Sequence, residues 1–247
     1  MNESRELATR PPQISASILN ADFARLGDEV RRAEAGGVDS IHLDVMDGHF
    51  VGNISLGPVV VEAVRGYASV PFHSHLMISQ PLHYVRAFAE AGSDVIIFHL
   101  EADDDAREVI DAIRATGRQV GLAINPETPT HVVLPYVEQV DMLLVMTVHP
   151  GWGGQELIAD VLPKLRALRD AADELRLDLP IGVDGGVNLS TIGSAHAAGG
   201  DVLVTGKALY EHSGDLTPVV AELRAAARAG AGAKSSGAPD AAATAGG

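Results

Sequence analysis

The sequence predicts a single α/β domain, a (β/α)8 TIM barrel of eight parallel strands. Three observations carry that expectation. An amphipathic stretch, a small-residue stop and a β-branched run follow one another along the chain. Three of the junctions are alike: Ala35-Gly36-Gly37-Val38-Asp39-Ser40-Ile41-His42, Ala91-Gly92-Ser93-Asp94-Val95-Ile96-Ile97 and Ala198-Gly199-Gly200-Asp201-Val202-Leu203-Val204. Each reads as a helix closed by glycine and followed by a strand. The composition is aliphatic, 46% hydrophobic with 4% aromatic, which suits buried parallel strands of Val, Ile and Leu. Eight such units between residues 13 and 230 leave about 27 residues per unit, as in a barrel of about 250 residues. A doubly wound open sheet is the structural alternative.

In chain order the strands are expected at Gln13–Ile18, Ser40–Val45, Pro71–Leu76, Val95–His99, Gln119–Ile124, Met142–Met146, Pro180–Asp184 and Val202–Val204. Helical spacing fills the intervals, for example Phe23, Leu26, Val30 and Ala33, or Val161, Leu162, Leu165 and Leu168. Residues 1–12 are polar, contain Pro11-Pro12 and carry no apolar signal-like segment, so they read as a flexible extension. From about Ala229 the chain is mostly Ala, Gly, Ser and Pro, too poor in apolar mass to offset the entropy of ordering, and residues 231–247 read as a disordered tail.

Charge and composition exclude several functions. With 18 Lys and Arg against 33 Asp and Glu, the formal charge is −15. A nucleic acid or an anionic membrane would have to overcome that field, and no apolar run approaches a membrane span, so neither is an expected partner. The absence of cysteine removes disulfides, thiolate nucleophiles and sulfur-ligated metals. Any metal must sit on histidine and carboxylate. The expected setting is the cytoplasm.

Barrel chemistry gathers at the carboxyl ends of the strands, and here those ends are polar. Ser17 closes strand 1, His42 and Asp44 strand 2, His73 and His75 strand 3, His99 and Glu101 strand 4, Asn125 strand 5 and Asp184 strand 7. Alternation puts His42 with Asp44, and His73 with His75, on one face. Two imidazoles and two carboxylates from strands 2, 3 and 7 make an N2O2 set suited to Zn2+, Mn2+ or Fe2+. His99 is expected behind such ligands rather than among them.

Glycine runs after strands 7 and 8 (Gly185-Gly186 and Gly206-Lys207) fall where barrels bind phosphate through backbone N–H groups, and a third run, Gly151-Trp152-Gly153-Gly154, follows strand 6. In an acidic chain, Lys207 is the lysine placed to help screen a dianion there. Met46, Met77 and Met146, three of five methionines, stand at or just past strand ends and are expected to roof the cavity and exclude water.

Five segments carry a family resemblance: Ser15-Ala16-Ser17-Ile18-Leu19-Asn20-Ala21-Asp22-Phe23, His42-Leu43-Asp44-Val45-Met46-Asp47-Gly48-His49-Phe50-Val51, His75-Leu76-Met77, Pro150-Gly151-Trp152-Gly153-Gly154-Gln155 and Val183-Asp184-Gly185-Gly186-Val187-Asn188. From about residue 13 to 228 the chain resembles ribulose-phosphate 3-epimerases. The resemblance implies His42, Asp44, His75 and Asp184 as ligands of one divalent metal ion, Zn2+ first, with Fe2+, Mn2+ or Co2+ as alternatives. It implies Asp44 and Asp184 as the acid/base pair, with Ser17 and the three glycine loops holding a ketose phosphate; His75, Met46, Met77, Met146, Trp152 and Lys207 are expected around the same substrate. A homo-oligomer is the expected assembly. The chain departs from the family pattern at Ala16 (proline there), His73 (aspartate), His149 (asparagine or an acid) and Lys207 (serine).

The chemistry accounts for the parts independently. Inverting C3 of a 2-ketose phosphate removes a proton α to a carbonyl and returns one to the opposite face, which calls for two acids flanking a planar enediolate. A related hexulose phosphate such as allulose 6-phosphate is the alternative substrate. A Schiff-base aldolase would need a lysine inside the barrel, for which Lys207 is the candidate, and a non-catalytic phosphate-binding barrel is the remaining reading.

Overall fold

The structure, a computed structural model, describes residues 10–235. Positions 1–9 of the expected extension and 236–247 of the expected tail lie outside that range. Eight parallel strands close a barrel in sequence order: β1 Gln13–Ser17, β2 Ser40–Met46, β3 Phe72–Met77, β4 Val95–His99, β5 Gln119–Ile124, β6 Met142–Met146, β7 Ile181–Asp184 and β8 Val202–Thr205. The helices are α1 Leu26–Ala35, α2 Pro58–Arg65, α3 Val85–Ala91, α4 Ala106–Ala115, α5 Leu162–Glu174, α6 Ile192–Ala197, α7 Lys207–Tyr210 and α8 Thr217–Ser235.

The departures from expectation have local causes. Ile18 leaves β1 because the Ser17 hydroxyl accepts the Leu19 N–H and starts a 3-10 turn over Ile18–Asn20. Pro71 and Pro180, which have no N–H, stand just before β3 and β7 and serve only as acceptors, their carbonyls taking the N–H groups of Ile41 and Leu143. No α-helix joins β5 to β6. Pro126, Pro129 and Pro135 interrupt that segment, and two 3-10 turns at Thr130–Val132 and Leu134–Tyr136 replace it. At the other end, α8 runs through Ser235, past the expected tail boundary at 231. Gly230 permits this: a Cβ there would come within 2.3 Å of the Gly193 Cα, so α6 and α8 meet backbone to backbone.

Two apolar cores result from strand alternation. One face of the strands packs outward on the helices, with Ile14, Ile41, Leu43, Phe72, Ile96, Phe98 and Leu122 among its buried members. The other fills the barrel with Val95, Ile97, Ala123, Met142, Leu144, Met146, Val202 and Val204. Burying side chains of this size stabilises the fold by about 1.5–3 kcal/mol each.

The repeated Gly-x-Asp junctions have a mechanical role. Asp39, Asp94 and Asp201, joined by Asp141, each stand just before an even-numbered strand. Each carboxylate accepts the N–H that opens or nearly opens the preceding strand, at Ile14, Phe72, Ile181 and Val120 (2.6–3.0 Å). Each backbone N–H in turn donates to the carbonyl of that same residue at 2.7–2.9 Å. Four reciprocal clamps therefore fix the register of β1–β2, β3–β4, β5–β6 and β7–β8 at the end opposite the polar one. Asp141→Ala leaves the Val120 N–H without its acceptor and is expected to cost about 1–3 kcal/mol in urea unfolding, with Asp141→Asn milder because its amide oxygen still accepts. Equal stability of the alanine variant and the parent chain would remove the clamp from the account.

Candidate active site

Strand register brings the polar ends together. Asp44 lies beside His75 and His42 beside His73 across β2–β3, Ser17 beside His42 across β1–β2, and Met146 beside Asp184 across β6–β7. Inside the barrel, His42 Nε2 and His75 Nδ1 approach to 3.2 Å. Asp44 Oδ1 lies 3.4 Å from the first and 3.2 Å from the second, and Asp184 Oδ2 3.5 and 3.4 Å. All four atoms lie within 4.8 Å of one another.

This donor set fits a divalent cation. Two ring nitrogens aim at each other and at two carboxylate oxygens, which concentrates lone pairs on one point. Five of the six separations are 3.2–3.5 Å and the whole set spans no more than 4.8 Å, so one divalent ion bound by all four is within reach of small side-chain adjustments. Electrostatics agree. Burial opposes charge on His42, but the carboxylates of Asp44 and Asp184 outweigh it and lift its pKa to about 10. Burial likewise opposes charge on His75, and hydrogen bonds to Asp184 and Asp44 raise it nonetheless. Both carboxyls are pulled below the usual range against burial, Asp44 by His42 and His75 and Asp184 by hydrogen bonds from the same rings despite repulsion from Asp44. The cluster attracts positive charge.

Neighbours hold the acids in place. The Ser17 hydroxyl donates to Asp44 Oδ2 at 2.6 Å, leaving Oδ1 to the imidazoles. Ser55 brackets the same strand end, donating to the Asp44 carbonyl at 2.5 Å and accepting the Met46 N–H. Thr147 donates its hydroxyl to the Asp184 carbonyl at 3.0 Å and to the Gly185 carbonyl at 2.6 Å. Neither Ser55 nor Thr147 was singled out by sequence reasoning. Each is a small hydroxyl residue in an ordinary context, and only the closed barrel reveals its partner.

Above the cluster opens a cavity of about 330 Å³. Of the residues expected there, Ser17, Asp44, Met46, Met77, Met146, Gly151, Trp152, Gly153, Gly154, Asp184, Gly185, Gly186, Gly206 and Lys207 line it. His42 and His75 are fully buried and do not contribute to its wall. Gly151, Gly154, Gly185 and Gly186 all have positive φ, and at Gly186 a Cβ would come 2.3 Å from the Leu157 nitrogen, so only glycine lets the loops after β6 and β7 close together. Asn20, Gln155 and Asn188 also line the cavity and were missed. They lie inside or next to the recognised motifs, but a polar loop residue looks the same in sequence whether or not it faces a cavity. Asn20 wedges between Gly153 and Gly206, whose Cβ positions would meet it at 2.9 and 2.4 Å.

Three residues stand apart. His73 is buried beside His42, its Nδ1 has no partner among the described residues, and burial, with the charge of His42, pushes its pKa down to about 3. His149 is exposed and pairs with Glu127 at 3.1 Å, outside the cavity lining. Lys207 is at the mouth, with Nζ 3.4 Å from Glu211 and a half-exposed side chain, so it is not a lysine of the barrel interior.

Fold and site together define a barrel enzyme whose acid pair lies at the carboxyl end of its strands. Residues 13–210 match the family model described as Ribulose-phosphate 3 epimerase family. The ribulose-phosphate 3-epimerase of Bacillus subtilis (strain 168) is 46% identical over 213 residues, 86% of this chain and 98% of that protein. Those of Escherichia coli (strain K12) and Mycobacterium tuberculosis (strain H37Rv) are 41% and 44% identical, over 85% and 88% of this chain and 94% and 93% of theirs. The chain belongs to the ribulose-phosphate 3-epimerase family and is an isomerase. Among solved structures, a tryptophan synthase α-subunit variant from Pyrococcus furiosus (TM-score 0.64, 13% identity, 90% of this chain and 99% of that one) shares the fold. So does 3-hexulose-6-phosphate synthase from Salmonella typhimurium (TM-score 0.62, 18% identity, 88% and 99%).

The raised pKa of His42 sets a pH dependence for the metal-free chain. A group whose folded pKa, about 10, exceeds its ordinary 6.5 contributes stability that is complete below 6.5 and lost as pH rises through 10. Chelator-treated protein is therefore expected to lose thermal stability steadily from pH 7 to 10 in scanning calorimetry. A melting temperature that stays level or rises across that window would show that His42 does not carry the proton.

Proposed function

We propose that this chain interconverts D-ribulose 5-phosphate and D-xylulose 5-phosphate by moving the C3 proton between two aspartates. The observation that supports this most is the meeting of Asp44 from β2 and Asp184 from β7 at the floor of one cavity, in a member of the epimerase family. A sugar carbon between them presents one face to each acid. One carboxylate takes the C3 proton, leaving a planar enediolate, and the other carboxyl delivers a proton to the opposite face. Such placement contributes on the order of 10²- to 10⁴-fold. Ser17 keeps Asp44 turned toward the substrate through its hydrogen bond to Oδ2.

His42, Asp44, His75 and Asp184 would hold the divalent ion, Zn2+ first, with Fe2+, Mn2+ or Co2+ as alternatives. When bound there it supplies Lewis-acid polarisation of the C2 carbonyl and offsets charge on the developing oxyanion. Met46, Met77 and Met146, each at most 4% exposed, give the cavity an apolar lining that keeps water from the enediolate. The N–H groups of the Gly185-Gly186 and Gly206 turns, next to the short helix α7, take the phosphate, as loops after strands 7 and 8 do in this fold class. Lys207 is the cationic side chain among the residues lining the cavity, where Glu156 and Glu211 also stand. Its ammonium favours the dianion, and a related ketose phosphate such as allulose 6-phosphate is the alternative substrate. Cytoplasmic placement and assembly as a homo-oligomer belong to the same proposal.

The direct test is a coupled assay with five- and six-carbon ketose phosphates, on protein whose metal content is measured in the same preparation. Interconversion of the pentulose phosphates is expected. No turnover with any of the four ions supplied would end the assignment, and turnover on six-carbon substrates alone would replace it with the alternative.

Lys207→Ser separates a phosphate contact from a reacting amine. The variant is expected to keep its turnover number within severalfold while KM rises, because a positioning charge is lost and the acids remain. Loss of kcat by more than about 10³-fold in a folded, metal-bearing variant exceeds what such a contact supplies and would contradict the role.

A further inference from the structure

A line of polar contacts leads away from the four-residue cluster, through residues that neither belong to the cluster nor line the cavity. His75 turns Nδ1 toward His42, Asp44 and Asp184, so its Nε2 faces the other way, 2.9 Å from His99 Nε2. His99 Nδ1 lies 3.1 Å from Glu101 Oε2. The other oxygen of Glu101 accepts the Asn125 N–H at 2.8 Å and the Thr128 hydroxyl. Both imidazoles are fully buried and stack with centroids 5.0 Å apart, and Phe50 covers His99 at 4.8 Å.

We propose that Glu101 and His99 are positioning residues that fix the proton of His75 on Nε2, so that the Nδ1 lone pair faces the cluster ready for a cation. The direction of every bond follows from the outer end. The Asn125 amide can only donate, and an ionised Glu101 can only accept. Oε1 is taken by Asn125 and Thr128, so Oε2 is left to receive Nδ1–H of His99. A neutral His99 protonated on Nδ1 has its lone pair on Nε2, and that lone pair can only receive Nε2–H of His75. Neutral His75 then keeps its lone pair on Nδ1, as a metal-binding nitrogen must, and the proton that Asp44 and Asp184 draw onto that nitrogen in the metal-free chain is the one a cation displaces. His42 offers a contrast within the same site: its outward nitrogen, Nδ1, has no partner among the described residues. The device acts on one imidazole of the two. Sequence spacing also fits, since His99 and Glu101 stand two residues apart at the end of β4, and Asn125 and Thr128 follow β5 next to it.

This inference rests on reading the cluster as a metal centre, and the experiment separates the two. Zn2+ affinity is measured on the full chain by competition with a chromophoric chelator, for the parent, His99→Leu, His99→Gln and Glu101→Gln, alongside kcat and KM. His99→Leu leaves the His75 Nε2–H without an acceptor and is expected to weaken Zn2+ binding about 10- to 100-fold, lowering kcat with KM little changed. In His99→Gln the carboxamide oxygen can accept from His75, so affinity should return to within severalfold of the parent. Glu101→Gln removes the carboxylate that sets the direction, and should weaken binding by about tenfold. His99→Leu binding Zn2+ within twofold of the parent, or His99→Gln being as weak as His99→Leu, would overturn the proposal in favour of plain packing. If His99→Leu does not fold, unchanged affinity in Glu101→Gln overturns it equally. A parent chain that takes up no Zn2+ refutes the metal centre itself, and the inference with it.

Discussion

Two carboxylates and two imidazoles crowd together at the carboxyl end of this barrel, the rings fully buried and the acids at the floor of the cavity, and most of the site follows from making that arrangement tolerable. A buried charge without a partner costs several kcal/mol, and two like charges within 4.8 Å make the cost larger. The chain answers with opposite charge. His42 is held protonated by the facing acids, and the remaining oxygen of Asp44 is tied by Ser17. A divalent cation answers the same need more fully, because it neutralises both carboxylates at once and requires both rings to be neutral. Attraction for a cation is thus a consequence of this concentration of negative charge, and the proton transfer proposed for Asp44 and Asp184 would draw on the same charges.

The barrel separates strength from chemistry along its axis. At the amino end, the four aspartate clamps join neighbouring strands pairwise through backbone groups and leave little to move. At the carboxyl end, the strands stop on side chains whose partners lie on other strands, so the geometry of Asp44, His75 and Asp184 is inherited from the β2–β3 register and from closure of the barrel. The mouth is left to loops. Asn53 donates to the Gly151 carbonyl and Gln155 to the carbonyls of His149 and Trp152, which folds the β6 loop over the cavity without committing a side chain to its floor.

The fold was largely legible because period and punctuation agree: every expected strand is present within a residue or two of its place. What escaped was decided by exceptions to local rules. Three prolines remove the helix between β5 and β6 although the segment is apolar enough to suggest one. An Ala-Gly segment that looks like tail continues as helix because two glycines, Gly193 and Gly230, let backbones touch. In the site, alternation placed His42 with Asp44 and His73 with His75, but it could not say which strand 3 histidine reaches the acids. The two-residue offset puts His75 level with Asp44 and leaves His73 level with His42, away from them. His149 drew attention as a departure from the family pattern and turns outward to Glu127. Hydroxyl and amide partners such as Thr147, Ser55 and Asn20 carry no sequence signal of their own, because their meaning depends on which strand the barrel sets beside them.

The central claim, that Asp44 and Asp184 act from opposite faces of one carbon, is tested most directly by a single turnover of the parent enzyme in D2O with protiated D-ribulose 5-phosphate. Two acids predict that the hydrogen removed and the hydrogen returned are different atoms, so the first D-xylulose 5-phosphate formed carries deuterium at C3. Product that retains the substrate's own C3 hydrogen would mean one group serves both faces, and would contradict the account.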